Sequence, residues 1–286
     1  MADAIHGNTE LSSTKQDLIA ARVQREIQFR AKLASVFMDV SQFAVKGAQS
    51  ISFPKLTSFT AVDRPTGAAG DATVLTSSVD QLDLDQRPYV AWIVDSNDEV
   101  QSTLNFQLEA AARSASAHGR RFDNDVIAEM ELVGIPTATT GNISYAITLE
   151  MREQYLDNEG DMDGGMATWV VSGDQETFLL NIDEFKRQDT YGPNSAIRSG
   201  QIGTLFGAPV MRHNGLPAQT YYLAGKEGLA YGFQRSPAMD NQAANEYGVG
   251  ARRWAMDQLY GVKGMLINQG SAGASESAHI IKDGNV

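Results

Sequence analysis

The sequence predicts an α+β protein, and three features of its 286 residues lead to that class. A long segment with helical periodicity comes first, and a polar, strand-like stretch without a helical stripe follows it. A second long helical segment then leads into a region where short strands and short helices alternate. Apolar residues make up 42% of the chain and charged residues 20%, which is the composition of a globular protein with a substantial core.

The first segment, residues 14–46, is predicted to be a helix within an N-terminal arm. Ser13, with Gln16 three residues later, fits a capping box, and Gly47 fits the left-handed position that ends many helices. The apolar residues recur at steps of three, four or six: Ile19, Val23, Ile27, Leu33, Phe37, Val40 and Ala44. This spacing places one apolar stripe along a helix, so we expect the arm to pack against another surface.

The stretch from residue 48 to residue 95 is predicted to be an extended β-hairpin loop. Pro54 interrupts its first apolar run, which is typical of an edge strand, and residues 63–71 are dense in turn formers. In the return strand Leu82 and Leu84 alternate with aspartates, so one face is apolar and the other acidic. An isolated hairpin is only marginally stable in water, and we therefore expect this one to lie on another surface.

A second helix is predicted from Ser96 to Glu131, with Ser96 and Glu99 forming the reciprocal cap. Its apolar stripe consists of Val100, Leu104, Leu108, Ala111, Ala115, Phe122, Val126 and Met130. Gly119 costs about 1 kcal/mol in a helix interior, but the stripe continues in phase on both sides of it. A single helix is therefore expected, and the segment 134–136, which contains glycine and proline, ends it.

From residue 141 onward the pattern is that of a compact α+β domain. A helix is expected over residues 143–156, and buried strands are expected over 167–172 and 221–224. Residues 203–211 are predicted to form a strand bent at Gly207. Two further extended segments, within 251–267, are predicted to close the fold, and the small polar residues after them indicate a flexible or surface tail.

The charge distribution leaves two interpretations open. The net charge of −12 argues against a conventional nucleic-acid binder, which carries a basic face. Residues 10–55 lean basic, however, whereas residues 150–190 are strongly acidic. The acidic region is either a solvated surface or a face on which the arm of another copy docks. The absence of cysteine excludes disulfides and thiolate metal sites, and it fits a reducing cytoplasm.

No motif in the sequence carries recognisable catalytic chemistry. The histidines His6, His118, His213 and His279 are scattered, and no P-loop, nucleophile elbow or dinucleotide fingerprint is present. The acidic loop 157–165 fails as an EF-hand, because its glycine and its final carboxylate fall at the wrong positions. We therefore predict no catalytic residue, no metal ligand and no cofactor, and no apolar run approaches the roughly 20 residues that span a membrane.

Taken in this order, the segments resemble the major capsid protein of tailed bacteriophages, whose fold is named for phage HK-ninety-seven. The run 167–172 is similar to the buried strand that precedes a short helix in that family. Residues 203–217, with Gly207-Ala-Pro-Val210 and Leu216-Pro217, resemble the family's Ile–Gly–x–Pro–Val … Leu–Pro segment, and residues 252–263 resemble its final strand. The resemblance covers most of the chain.

The resemblance implies a division of the chain into six parts. These are an N-terminal arm (1–47), an extended β-loop (48–95), a spine helix with the first part of a peripheral domain (96–140), an axial domain (141–245), return strands to the peripheral domain (246–270) and a C-terminal tail (271–286). It also implies self-assembly into hexamers and pentamers of an icosahedral shell that encloses double-stranded DNA. The virion would be assembled in the host cytoplasm, without a membrane.

The partners follow from the same resemblance. They are further copies of the chain, together with scaffold, portal and decoration proteins, and packaged DNA that an acidic shell contacts only weakly and non-specifically. The residues expected at contacts between subunits are Lys55, Arg64, Leu82, Leu84, Arg87, Ile19, Val23 and Ile27. Some relatives join subunits covalently through a lysine of the β-loop, but Lys55 lies near the base of this loop and is interpreted as a solvated lysine.

Two alternatives remain open at this point. An encapsulin-type nanocompartment shell shares the fold but encloses a protein cargo, and the sequence hardly separates it from a phage shell. A soluble α+β hydrolase is a remote alternative, with Glu150 and Asp183 as a loosely defined carboxylate pair.

Overall fold

The structure is a computed structural model, and it describes residues 31–56, 77–94, 106–158, 160–162, 165–182, 203–247, 250–265 and 279–283. The strands are β1 (Met38–Asp39), β2 (Ser50–Leu56), β3 (Ser77–Asp83), β4 (Tyr89–Val94), β5 (Ile135–Pro136), β6 (Ala167–Val171), β7 (Thr204–Leu205), β8 (Ala208–Arg212), β9 (Tyr221–Gly225), β10 (Leu229–Ala243), β11 (Arg252–Gly264) and β12 (Ile280–Lys282). The α-helices are α1 (Phe106–Val133), α2 (Tyr145–Asp157) and α3 (Gly173–Asn181).

A four-stranded sheet with the order β1-β10-β11-β4 forms one half of the fold. Its centre is the long antiparallel pair β10–β11, onto which β4 adds antiparallel and β1 parallel. Along β11 the side chains of Trp254, Met256, Gln258 and Tyr260 are buried, and the residues between them are partly exposed. This period of two buries one face of the sheet, and α1 packs against that face.

A six-stranded sheet with the order β5-β12-β9-β6-β8-β7 forms the other half. Strands β6 and β9 are buried along their whole length, because both faces of this sheet are covered. Trp169, Val171 and Leu223 point toward α2 and α3, whereas Val170 and Tyr222 join the core that α1 and the four-stranded sheet share. The central strands are therefore continuous apolar runs, as the sequence predicts.

Helix α1 connects the two sheets and confirms the prediction of one uninterrupted helix through Gly119. Ala111, Ala115, Phe122, Val126 and Met130 are each at most 1% exposed, so the predicted stripe is the buried face. The predicted start at Ser96 lies outside the described residues. The helix ends at Val133, two residues later than predicted, where Gly134 has no room for a side chain.

The predicted helix over residues 14–46 is wrong in its described part. Residues 31–46 form two 3₁₀ turns, Lys32–Ser35 and Ser41–Phe43, with the short strand β1 between them. The apolar spacing of Leu33, Phe37 and Val40 is real, but it inserts these side chains into the core between α1 and β10. Periodicity alone therefore identified burial correctly and the conformation wrongly. Gly47 does adopt a positive φ of 92°, but it ends a turn rather than an α-helix.

The predicted surface tail is also wrong in its described part. Ile280 and Ile281 are fully buried, and β12 lies between β5 and β9 inside the six-stranded sheet. Asp283 accepts a hydrogen bond from the backbone N–H of Tyr221, which fixes the end of this strand. The residues before this strand are small and polar, and the strand itself has only two apolar side chains, so it is recognisable only from its pairing with β5 and β9.

Two smaller predictions also differ from the structure. Residues 204–212 form a tight hairpin, β7–β8, rather than one bent strand, because Phe206 and Gly207 both take positive φ values, 53° and 88°. Strand β10 pairs with β11 and not with the six-stranded sheet. The predicted axial-domain boundary at residue 245 therefore includes a strand of the other sheet.

Candidate assembly surfaces

The hairpin β2–β3 rests on a flat platform made by two glycines. Gly232 of β10 and Gly261 of β11 are directly opposite each other in the ladder. A Cβ atom at Gly261 would lie 2.1 Å from the carbonyl oxygen of Asp83, and one at Gly232 would lie 3.1 Å from the Cδ1 atom of Ile51. The backbone of β3 thus approaches the sheet as closely as only glycine permits.

The buried leucines of the hairpin contact this same chain. Leu82 is 0% exposed and Leu84 is 5% exposed, and both pack with Val40, Ile51 and Ala230. The expectation that they face a neighbouring subunit is therefore wrong. The alternation with aspartates predicted an apolar face correctly, but the surface beneath that face is the chain's own four-stranded sheet. Replacing these leucines is accordingly expected to destabilise the isolated chain.

The other predicted contact residues are scattered. Arg87 is exposed at the entrance to β4. Lys55 lies in β2, opposite Ser78 of β3. Arg64, Ile19, Val23 and Ile27 lie outside the described residues.

The point where the N-terminal segment enters the core is fixed by a buried polar group. Asp123 of α1 is buried and accepts two hydrogen bonds, from the backbone N–H of Leu33 (3.3 Å) and from Nε2 of His213 (2.9 Å). The Gly215 N–H donates to Nδ1 of the same histidine at 3.1 Å, which places the ring proton on Nε2. Three distant segments therefore meet at one carboxylate.

Two tyrosines hold α1 between the sheets. Tyr260 of β11 donates to Asp125 at 2.6 Å, and Tyr222 of β9 donates to Glu131 at 2.7 Å. Burial acts to raise the pKa of Glu131, but hydrogen bonds from Lys282 and Tyr222 outweigh burial and hold that pKa below its ordinary value. The folded-state pKa is lowered, so this contribution to stability is present at neutral pH and is lost as the pH falls through that value.

Helix α2 presents an exposed apolar face that sequence reasoning missed. Tyr145, Leu149 and Leu156 are 40%, 38% and 42% exposed. Together with Arg152 they are spaced by four, three and four residues, which places them on one side of the helix. The opposite side, with Ile147, Met151 and Tyr155, is buried on the six-stranded sheet. The sequence predicted the helix, and its second apolar stripe was the signal that could have revealed this face.

The tip of the β7–β8 hairpin extends the same face. The ring of Phe206 lies 6.4 Å from the ring of Tyr145. The guanidinium of Arg152 lies over the Phe206 ring, 5.5 Å from its centroid. A bulky residue with a φ of 53° is uncommon, because its Cβ crowds the backbone. The strained turn therefore holds an aromatic ring beside the exposed helix. We call the surface of Tyr145, Leu149, Arg152, Leu156 and Phe206 the α2 face.

The described residues offer little to the hydrolase alternative. Glu150 accepts hydrogen bonds from the backbone N–H groups of Ala138 (2.7 Å) and Thr139 (3.2 Å), which gives it a structural partner. Asp183, its suggested counterpart, lies outside the described residues. In the part of the chain that the structure describes, no three carboxylate or imidazole groups are grouped as metal ligands would be. Nor does any described helix have the length and apolarity needed to cross a membrane.

Comparison with known proteins identifies the fold. Neither a protein-family model nor a curated protein sequence matches this chain. A solved structure from Mycobacterium phage Che8 matches with a TM-score of 0.69 at 17% identity, covering 88% of this chain and 90% of that one. The mature capsid of bacteriophage PhiM1 matches with a TM-score of 0.64 at 14% identity, covering 86% and 84%. The capsid of Cyanophage P-SCSP1u matches with a TM-score of 0.66 at 11% identity, covering 87% of this chain and 86% of that one.

At these identities the likeness is one of fold, and it extends over nearly the whole chain. It confirms the predicted α+β class and the predicted tailed-phage capsid fold.

Proposed function

We propose that this chain is the major capsid protein of a tailed bacteriophage, which assembles into the hexamers and pentamers of an icosahedral shell around packaged DNA. The observation that carries the proposal is the match of fold over 86% and 87% of the chain to the capsid structures of two phages. The exposed α2 face and the long hairpin support it, because both are features of a subunit that is completed by its neighbours. The proposed location is the virion, with assembly in the host cytoplasm.

The α2 face is proposed as a contact between subunits within a ring. Rings of five or six copies use head-to-tail contacts, in which one face of a subunit meets a different face of the next. The α2 face lies on the outer layer of the six-stranded sheet and is not covered by the rest of the described chain. Its aromatic and leucine side chains, with one arginine, have the composition of an interface centre.

Leu149→Asp is expected to prevent shell assembly while leaving the subunit folded. Leu149 is 38% exposed, so the isolated chain should lose about 1 kcal/mol or less, whereas a charge buried in every ring contact is costly. Sedimentation reports assembly and urea unfolding reports stability. Ala146→Asp is the matched control, because Ala146 is exposed on the same helix but beside the α2 face. Normal shells from Leu149→Asp would show that the α2 face is not a contact between subunits.

The N-terminal arm is proposed to reach a neighbouring subunit, and the structure sharpens how this is tested. Leu33, Phe37 and Val40 are buried in the core, so deletion of residues 1–46 should unfold the chain. Deletion of residues 1–30 removes the part of the predicted arm that precedes these buried residues and should leave a folded subunit that does not form shells. Circular dichroism with sedimentation separates the two results. Normal shells from the shorter deletion would show that the arm is dispensable.

Electron microscopy of the expressed chain tests the proposed function as a whole. Closed icosahedral particles that contain DNA when purified from infected cells would establish a phage shell. Particles filled with protein would instead favour the nanocompartment alternative. A stable monomer under all assembly conditions would contradict both. Scaffold, portal and decoration proteins are further proposed partners, and co-purification with particles tests them.

A further inference from the structure

A cavity of about 430 Å³ lies between the middle of α1 and the segment that enters β4. Its lining includes Gln86, Arg87, Tyr89, Ala117, His118 and Arg121. The cavity opens to the surface on the side where Arg87 and Arg121 are exposed, and His118 lies on its buried side. Of these residues, only Arg87 is among the predicted subunit contacts.

His118 is the unusual member of this lining. It is 0% exposed, and its ring nitrogens are buried without a well-formed hydrogen bond in the part of the chain that the structure describes, apart from a weak one to the Met256 backbone. Buried polar groups are well paired in the great majority of cases, so an imidazole with so little hydrogen bonding indicates a group that can take a further partner. Burial lowers the pKa of His118, although the hydrogen bond to the Met256 backbone and the Asp257 carboxylate act in the opposite direction. The ring is therefore a neutral donor at pH 7.

Two arginines complete the cavity. Arg121 is 56% exposed and pairs with Asp125 at 3.1 Å, and Arg87 has no ionic partner within the described ranges. Nearby carboxylates are already engaged, since Tyr260 donates to Asp125 and Arg235 pairs with Asp257. The cavity therefore presents more cationic than anionic groups.

The wall of the cavity is held rigidly. The backbone of Gln86 donates to the carbonyl of Tyr260 at 3.0 Å and accepts from its N–H at 3.1 Å. The hydroxyl of Tyr89 accepts a hydrogen bond from Arg253 at 2.9 Å. These contacts fix the segment that carries Arg87 to β11, while α1 fixes His118 and Arg121. The backbone that carries the arginines is therefore positioned in advance, and binding has to order only their side chains.

We propose that this cavity binds an oxyanion between the guanidinium groups of Arg87 and Arg121, with an N–H of His118 as the inner donor. Guanidinium groups match phosphate and carboxylate oxygens in planar, paired hydrogen bonds. Two sources supply this chemistry: a phosphate-type anion from solution, or the carboxylate of a glutamate or aspartate from a second copy of this acidic chain. Only the second source rests on the proposed assembly function.

The first arm of the test uses the purified, unassembled full chain. Inorganic phosphate and pyrophosphate are titrated while the imidazole resonance of His118, assigned with His118→Gln, is followed by NMR. If a free anion occupies the cavity, the His118 resonance should shift saturably and the pKa of His118 should rise. Arg87→Ala should then weaken binding by about tenfold or more. Arg113→Ala is the matched control. Arg113 lies on α1, which also carries His118 and Arg121, but its side chain is 81% exposed and does not line the cavity. That variant should bind as the unmodified chain does.

The second arm uses assembled particles without added phosphate. If a carboxylate of a neighbouring copy occupies the cavity, Arg87→Ala should lower the yield or the melting temperature of the particles, whereas Arg113→Ala should not. The isolated chain then shows no saturable shift with phosphate. If neither arm separates Arg87→Ala from Arg113→Ala, the cavity does not bind an oxyanion. A chain that never forms particles would contradict the proposed function and leave the first arm decisive for the cavity.

Discussion

Gly261→Ala is expected to dislodge the base of the β2–β3 hairpin and to abolish shell formation. The added Cβ would lie 2.1 Å from the carbonyl oxygen of Asp83 and 2.8 Å from a methyl carbon of Leu82. A backbone atom cannot rotate away, so β3 must lift from the sheet and expose the buried faces of Leu82 and Leu84. Overpacking a core costs about 1–3 kcal/mol, and contact with the main chain places this variant at the upper end.

A series of three glycine variants measures this effect. The Cβ atom of Gly232→Ala would lie 3.1 Å from the Cδ1 atom of Ile51 and at ordinary contact distance, 3.5 and 3.8 Å, from Val40 and Leu84. All three are side chains that can move, so this variant should cost less. Gly203→Ala meets nothing within 4 Å and serves as the control. Urea unfolding gives the stability, and hydrogen exchange of the β2 and β3 amides reports whether the hairpin has lifted. Equal stability of Gly261→Ala and Gly203→Ala would show that the hairpin does not rest on the glycine platform.

The consequence for assembly follows from where the hairpin is fixed. Its base, residues 50–56 and 77–83, packs on the same chain that carries it, so the orientation of these two strands is set within the subunit. Lifting them from the sheet would change that orientation in every copy of a shell, whereas a mutation that only weakens one contact leaves it unchanged.

Much of this fold could be predicted from the sequence because long periodic patterns are local. The stripe of α1, from Ala111 to Met130, repeats at helical spacing, and the strands β6 and β9 are continuous apolar runs. The order of these segments was sufficient to predict the capsid fold. Such signals need no knowledge of the surface against which they pack.

Other features could not be predicted because they depend on tertiary partners. Leu33, Phe37 and Val40 have helical spacing, but packing against α1 and β10 holds Leu33 in a 3₁₀ turn and places Phe37 and Val40 on either side of the short strand β1. The alternation at Leu82 gave the apolar face of the hairpin but not the identity of its platform. Strand β12 is only three residues long and exists because β5 and β9 pair with it.

The candidate site residues show the same division. Sequence reasoning placed the contacts on residues of the hairpin and of the N-terminal arm, where a pattern was visible. The exposed stripe of α2 is also visible in the sequence, but its contact with Phe206 and the cavity at His118 arise where a helix meets a turn or a strand distant in the sequence, so no local pattern indicated them. The strained φ of Phe206 became visible only once β7 and β8 were seen to pair.

Asp123→Asn is expected to destabilise the chain by about 1–3 kcal/mol, the cost of leaving a buried donor unpaired. The carboxylate accepts from two donors at once, the Leu33 N–H and the Nε2–H of His213. Asparagine offers one oxygen and one NH₂ group, so in either orientation the NH₂ faces a donor. The Gly215 N–H already occupies Nδ1, which prevents the ring from resolving the conflict by moving its proton.

The effect should be largest where the N-terminal segment joins α1, because the Leu33 N–H is one of the two donors. Hydrogen exchange at residues 33–37 is therefore expected to accelerate in Asp123→Asn before global unfolding, and urea unfolding gives the total loss. Glu109→Gln is the control, since Glu109 pairs with Arg113 at the surface with side chains 59% and 81% exposed and should change stability by less than about 0.5 kcal/mol. Equal stability of the two variants would mean that Asp123 does not hold both donors. A loss confined to the amides of residues 33–37 would instead show that the carboxylate fixes the N-terminal segment without supporting the rest of the core.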